Sequence, residues 1–429
     1  ASYAIKDDGI VWAWGRNNYG QLGDGTITNS STPVQVSGLT GVIQVAGGSN
    51  SGYALKSDGT VWAWGRNNFG QLGDGTTTDR LTPVQVSGLT GITKISAGLE
   101  HGLAFKGGGT PEVWSWGRNN YGQLGDGTTT NSSTSVQVSG LVGTVTAIAA
   151  NYSSSYALNS LGNVYAWGWN GLGQLGDGTT TDRLIPVQIT GLTGITKIAP
   201  GGAHMLALDT NANVWAWGYN NDGQLGNGST SSAVPTPALI AGLSNVTHVY
   251  GGSFHSLVLK SNGEVWGWGG NTFGELGASI ITGSQTTPAL FPEMTSVGSL
   301  TAGDYRSFVL HSDGTVWALG RNNYGQLGDG TTTDRSTLVQ VGGPSFNLGG
   351  ALAYPTSGTF TSAVINLAQS AGFTILNYSV TLNGQTVTVD ARAGNTATPN
   401  STWTSWQTGI ASGGSISGLA GNQYFQYRS

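Results

Sequence analysis

Hydrophobic and polar residues alternate along this chain in short bursts, each closed by a turn signal. Tyr53-Ala54-Leu55-Lys56 alternates large and small side chains, and Ser57-Asp58-Gly59-Thr60 follows. Asp-Gly supplies the positive φ angles that a tight hairpin needs. Val61-Trp62-Ala63-Trp64-Gly65 alternates again. With a period of two, Trp62 and Trp64 share one face, and Val61, Ala63 and Gly65 share the other. Indoles on one face and small residues on the other suit sheets that stack closely. Asn67-Asn68-Phe69-Gly70 breaks the pattern, Thr82-Pro83-Val84-Gln85-Val86 reads as an edge strand, where proline is tolerated, and Ile92-Thr93-Lys94-Ile95 starts the next unit. The unit is therefore four short strands joined by turns. No segment carries a 3.6-residue period, which excludes a helical array.

The unit repeats. Trp12-Ala13-Trp14-Gly15 recurs as Trp62–Gly65, Trp114–Gly117, Tyr165–Gly168, Trp215–Gly218, Trp266–Gly269 and Trp317–Gly320, at spacings of 50, 52, 51, 50, 51 and 51 residues. Each is followed by Gly-(Gln/Glu)-Leu-Gly. A period near 50 marks a propeller blade or an array unit. One blade cannot bury both faces alone. Seven in a ring bury them against neighbours. The predicted fold class is all-β: a seven-bladed propeller of four-stranded blades over residues 1–343, a closing strand or linker over 344–359, and a small β-sandwich-like domain over 360–429.

Composition narrows the function. Glycine accounts for 72 of 429 residues, charged residues for 9%, and there are 15 tryptophans. Turns are abundant and solvated helix faces are few. The net charge of −5 comes without any run of lysine or arginine, so no nucleic-acid partner is expected. The absence of cysteine removes disulfides, thiolate metal sites and cysteine nucleophiles. No apolar run reaches the 18 or so residues of a membrane span. There is no Gly-x-Ser-x-Gly elbow, no His-Glu-x-x-His and no phosphate loop. No catalytic residue, metal or cofactor is therefore assigned.

The pattern Gly-x-x-His-x-x-(Ala/Val)-Leu, then Asp-Gly-x-Val-x-x-Trp-Gly, then Asn-x-x-Gly-Gln-Leu-Gly resembles the repeat of the regulator of chromosome condensation family. Gly252–Leu259 with Val265–Gly269 shows it, and the resemblance covers residues 1 to about 343. It implies a seven-bladed propeller, and it implies no single function, because fold does not settle function. Known members include a nucleotide-exchange factor for a small GTPase, a plant UV-B photoreceptor and a secreted β-lactamase inhibitor. The basic tail of the first has no counterpart here. The tryptophans here lie in the strand motif, where core packing explains them, and not in a cluster beside arginines as in the photoreceptor.

Several repeats are nearly identical: Gly-Arg-Asn-Asn-(Tyr/Phe)-Gly-Gln-Leu-Gly-Asp-Gly-Thr begins at Gly15, Gly65, Gly117 and Gly320. This reads as recent duplication in a chain of bacterial composition, so sequons such as Asn29 and Asn131 are assigned no glycan. Past Gly343 the repeat stops. Pro355 lies in a small-residue transition, and Val387–Arg392 and Tyr424–Arg428 read as strands. Trp403, Trp406 and Tyr424 offer either a sandwich core or a sugar-stacking platform. The chain is expected to be part of a longer parent.

Candidate sites lie on turns. Asp74–Asp79, Asp177–Asp182 and Asp329–Asp334 carry too few oxygen ligands for calcium and read as solvated turns. His101, His204 and His255 occupy the Gly-x-x-His position, where Ser51, Ser154 and Arg306 stand in other repeats. They read either as a metal or proton-transfer cluster near the central channel or as turn residues bonded to local backbone. The two residues before this position vary most, and variable turns on a rigid frame are where binding sits. Asn50, Glu100, His101, Tyr152, His204, Phe254, His255, Tyr305 and Arg306 are the predicted binding residues. The turns are expected to ring one channel mouth, with Glu100, Tyr152, Phe254 and Tyr305 partly exposed. The first repeat lacks its innermost strand, and residues 344–354 are expected to pair with residues 2–6 and close the ring, the alternative being that residues upstream of Ala1 supply that strand. The function expected is a non-enzymatic, extracellular or cell-surface scaffold that binds a protein or a surface and is able to self-associate. The alternatives are a structural subunit of an extracellular layer or filament, or a propeller hydrolase or lyase with a glycan-binding module.

Overall fold

In the computed structural model the described residues are 1–348, apart from 108–111, 280–282 and 296, together with six strand segments beyond 364. The chain forms two compact units, Ala1–Ala351 and Leu352–Ser429.

The first unit is a ring of seven antiparallel sheets. The second blade shows the rule: Val42–Gly47, Ser51–Lys56, Val61–Gly65 and Arg80–Gln85 pair in sequence order, innermost to outermost. Five further blades repeat that order, and the first has three strands, Ser2–Ile5, Val11–Gly15 and Ser30–Gln35. Pro83 lies on the outermost strand, where its missing N–H leaves no ladder bond unmade.

The two tryptophans of the motif differ in depth. Trp14, Trp64, Trp116, Trp167, Trp217 and Trp268 are fully buried. Each sends its indole N–H to a backbone carbonyl in the loop of the preceding blade, as Trp64 Nε1 does to Gln21 O at 3.0 Å and Trp116 Nε1 to Gln71 O at 2.9 Å. Trp14 makes the same bond to Gln326 O at 3.0 Å across the seam between the last and first blades. A buried indole needs such a partner. Here the partner lies on the neighbouring blade, so one side chain fills the core and links the ring.

The loop after the motif is organised by one asparagine. Asn67 is fully buried. Its Oδ1 accepts from Leu72 N at 2.9 Å, its Nδ2 donates to Asp74 Oδ1 at 3.1 Å, and its own N–H donates to Asp79 Oδ1 at 2.7 Å. Asp74 also pairs with Arg80 at 2.7 Å. The aspartates read as solvated turns are thus internal locks, and the described residues hold no cluster of three or more acids and histidines suited to a metal.

At the seam, Phe346 packs edge-on against Trp12 and Trp14 at 5.8 and 6.0 Å. Leu348 N donates to Gly314 O at 3.1 Å and Leu348 O accepts from Asp7 N at 2.9 Å. In the second blade the corresponding bonds are Val42 N to Gly9 O and Ser57 N to Gly41 O, at the entrance to the innermost strand. Residues 344–348 make no ladder with residues 2–6, so over this stretch the expected pairing is absent. Residues 349–354, on which the rest of that expectation falls, lie outside the described residues.

In the second unit Ile365–Ala371, Asn422–Arg428, Val389–Gly394 and Gln407–Ile410 form one sheet in that spatial order, and Ile375–Leu376 pairs with Gly414–Ser415. Trp403, Trp406 and most of the 344–359 linker lie outside the described residues.

Candidate functional site at the channel mouth

Each innermost strand ends in the variable turn, so the turns collect at one end of the channel. They are tied to each other. Ser49 N donates to Leu99 O at 3.0 Å, Leu99 N to Tyr152 O at 3.0 Å, Tyr152 N to Gly202 O at 3.4 Å, Gly202 N to Gly252 O at 3.2 Å and Ser253 N to Gly303 O at 3.2 Å. Five backbone bonds thus run around the mouth through blades two to seven. They border a cavity of ≈ 680 Å³ that also takes in the open inner edge of Ser2–Ile5.

The predicted residues divide into two groups. Asn50, Glu100, Tyr152, Phe254, Tyr305 and Arg306 are half-buried at this mouth. Glu100 bonds Arg118 at 2.7 Å and lies 3.8 Å from Arg66. Phe254 and Tyr305 stack at 4.8 Å, and Phe273 meets Tyr305 edge-on at 5.0 Å. Asn50 Oδ1 accepts from Gln21 Nε2 at 3.2 Å, and Arg306 Nη2 donates to Ala1 O at 2.9 Å. Burial and the neighbouring Asp304 push the Tyr305 hydroxyl up.

The second group is His101, His204 and His255, which have no exposed surface and present nothing to a ligand. They do not bond local backbone either. Their Nε2 atoms lie 2.9, 2.9 and 3.0 Å from Ser155, Ser256 and Ser307 of the next blade. Those serines spend their single proton on Gln123 O, Gln224 O and Glu275 O. A hydroxyl with its hydrogen engaged can only accept, so each histidine donates from Nε2 and is bare at Nδ1. Each Nδ1 is buried without a partner. Protonating it would bury an unpaired charge, and burial lowers the three pKa values from 6.5 to about 3, 3 and 4. These histidines fasten blades, and they are removed from the predicted binding face.

The mouth carries a second tier that the turn argument missed. In four blades the residue after the strand-end glycine lies over the loop aromatic of the preceding blade: Arg66 over Tyr19 at 4.9 Å, Arg118 over Phe69 at 5.0 Å, Arg321 over Phe273 at 5.1 Å and Arg16 over Tyr324 at 5.2 Å. In the fourth blade Trp169 takes that place beside Tyr121 at 6.2 Å. Cations over aromatic faces are weakly attractive and hold the long side chains upright. The signal was the recurring Gly-Arg-Asn-Asn-(Tyr/Phe), which joins a cation and a ring at fixed offset but hides that they meet across blades.

These features define a class, a repeat propeller with a rigid frame and a decorated mouth. Residues 110–371 match the RCC1-like domain model, and residues 8–55 and 58–105 match the regulator of chromosome condensation (RCC1) repeat. The chain belongs to the RCC1-like family. It is 34% identical over 344 residues to the ultraviolet-B receptor UVR8 of Arabidopsis thaliana, covering 78% of each chain. It is 42% identical over 180 residues to the human probable E3 ubiquitin-protein ligase HERC4, a match that covers 41% of this chain and 17% of the ligase. Among solved structures it is similar to Prp20p of Saccharomyces cerevisiae, with a TM-score of 0.69 and 23% identity over 77% of this chain and 85% of that one.

Proposed function

We propose that the protein is a non-enzymatic binding propeller that holds a protein partner against the turn-lined mouth. One observation carries the reading: the variable residues Asn50, Glu100, Tyr152, Phe254 and Tyr305 stand half-buried on turns that five backbone bonds tie to one another. A pre-organised surface loses little entropy on binding, and half-exposed Tyr, Phe and Arg side chains are the usual anchors. Support by analogy comes from Prp20p, which binds Gsp1p and histones, and from the complex of yeast RCC1 with Kap60. The setting we propose is extracellular or at the cell surface, from the low charge and turn-rich, cysteine-free repeats. Fractionation of the source cells tests that part, and recovery solely from the cytosol overturns it.

The binding test is positional. Photo-crosslinkers at Asn50, Tyr152 and Tyr305 are expected to trap one and the same protein from extracts of the source cells. Crosslinkers at Leu184 and Ile185, exposed on an outermost strand, are expected to trap none of it. Equal trapping at both sets of positions sinks the reading.

A further inference from the structure

Two junctions change both members of the repeating pair: between the fourth and fifth blades Leu172 and Tyr219 stand in their places, and between the fifth and sixth an acid faces a residue without a side chain. At the latter, Asp222 takes the place of the loop aromatic, and Gly270 stands where Arg16, Arg66, Arg118 and Arg321 stand. A Cβ at Gly270 would lie 3.7 Å from Asp222 Cβ and 3.5 Å from Phe254 Cβ, so the two positions still face each other across the junction with no side chain on one of them. Phe254 borders this gap, with Tyr219 edge-on to it at 6.3 Å.

Asp222 is half-buried, and among the described residues no cation lies within salt-bridge distance and no donor bonds its carboxylate. Its backbone N–H is engaged by Gln224 Oε1 at 3.0 Å, which fixes the loop beneath it. A second acid stands on the same arc. Glu275 replaces the repeated glutamine, is 1% exposed, and has an Oε1 atom buried without a partner. Burial pushes both carboxyls up, as expected for acids that lack a counter-charge. Elsewhere on the rim Arg16 and Arg321 have no carboxylate within salt-bridge distance among the described residues, while Glu100 is paired with Arg118 and Arg66. The acidic spot at Asp222 therefore coincides with the one of the three arginine-free positions, Trp169, Tyr219 and Gly270, that carries no side chain.

We propose that this notch receives an arginine side chain of a protein partner, which takes the place that the chain's own arginine fills at four other junctions. A guanidinium suits it better than an ammonium, since a planar fork can engage the Asp222 carboxylate with two bonds while lying against Phe254. The inference rests on the binding reading above and deepens it, naming the side chain the partner presents and where.

The test uses the full chain and a defined probe, the N-acetyl Gly-Arg-Gly amide, with its citrulline counterpart as the neutral isostere, measured by NMR titration. The arginine peptide is expected to bind saturably and to shift Phe254 and Gly270 resonances. The citrulline peptide is expected to bind at least about tenfold more weakly. Asp222→Asn is expected to lower affinity for the arginine peptide by about tenfold or more. Gly270→Arg is expected to do the same by filling the notch from within. Gly270 does not occupy the left-handed region, and arginine stands at the matching position in four blades, so an unchanged melting temperature keeps that variant informative. No saturable binding, equal binding of citrulline, or affinity unchanged in both variants overturns the proposal. If sedimentation instead shows a dimer that Asp222→Asn dissociates, the arginine comes from a second copy and the partner assignment falls. Crosslinking at Tyr305 that survives Asp222→Asn, with no effect of the notch on partner affinity, leaves the mouth as the binding face and removes the notch alone.

Discussion

The junctions of blades one to three and those of blades five to seven are built on one plan and differ in what they carry. In the first arc the plan is followed literally. Trp64 and Trp116 each bond the loop carbonyl behind them, Arg66 and Arg118 each cap an aromatic, and Glu100 reaches both arginines. In the second arc one component after another is exchanged. Glu275 replaces glutamine, Leu319 replaces the buried tryptophan, Gly270 and Asp222 replace the arginine–aromatic pair, and His204 and His255 reach serines that the first arc lacks. The backbone circle around the mouth runs through both. The contrast separates two kinds of feature: the backbone bonds at the mouth run through both arcs, while the exchanged side chains gather in the second.

Acid should break the three histidine-bridged junctions first. The folded pKa values of His101, His204 and His255 lie below the ordinary 6.5, so the unfolded chain takes up protons that the folded chain refuses. Stability is intact above pH 6.5 and is lost as the pH falls from there toward 3 to 4. The slope is about 1.4 kcal/mol per pH unit for each histidine, so about 4 kcal/mol per unit for the three. Urea unfolding between pH 7 and 5 measures it, and replacing all three by glutamine should flatten the curve. Asp74 behaves differently. Burial pushes its carboxyl up, but bonds from Thr76 and Arg80 outweigh that and hold it below its usual value. Its contribution persists through this window and fails only as the pH drops through the carboxylate range.

Trp64→Ala should cost about 3–5 kcal/mol, because a fully buried indole and its bond to Gln21 O go together. Trp62→Ala, two residues away and half-buried, should cost about 1–2 kcal/mol. Equal losses in denaturant unfolding would show that the inter-blade bond adds nothing to packing.

The difference between these tryptophans also marks how far the sequence could be read. Period, strand order, the outer proline strand and the small-against-large faces all follow from residues close together in the chain, and the structure has them. Val61–Gly65 runs as read, and Arg80–Gln85 begins two residues earlier than the expected Thr82. What alternation cannot show is a partner one repeat away. The role of His101 depends on Ser155, and Arg66 meets Tyr19 across a junction, so neither is visible within a single unit. The Asp74 lock was misread for a related reason: its partner, Asn67, looked like a loop residue and is a buried hub.

The sixth and seventh blades carry a compensating exchange that can be tested directly. Where the other blades place tryptophan beside the loop glycine and a β-branched residue behind it, Leu319 leaves space, and Phe291 fills the site beside Gly277. Phe291→Val alone should cost about 2–3 kcal/mol as a cavity, and Leu319→Trp alone about 1–3 kcal/mol as overpacking. The double substitution restores the first arc's arrangement and should recover about 1–3 kcal/mol relative to the sum. Additive losses would mean that the two exchanges are unrelated.

The smallest effect separates the arginines themselves. Arg118 lies over Phe69 at 5.0 Å and Tyr121 at 5.9 Å and also bonds Glu100, whereas Arg16 lies over Tyr324 at 5.2 Å with no acid within salt-bridge distance among the described residues. Both guanidiniums are partly hydrated, so neither interaction is large. Arg118→Ala should cost about 1 kcal/mol and Arg16→Ala about half that, since only the first loses an ion pair as well as a ring contact. Arg118→Lys keeps the charge and loses the flat face, so it should fall between wild type and alanine. Salt divides the two parts. Raising ionic strength to about 1 M screens the Glu100 attraction, so the cost of Arg118→Ala should drop toward that of Arg16→Ala, which itself should change little. If both costs are equal at low salt, Glu100 contributes nothing to the frame, and its half-buried carboxylate is then held at the mouth for a partner and not for the ring.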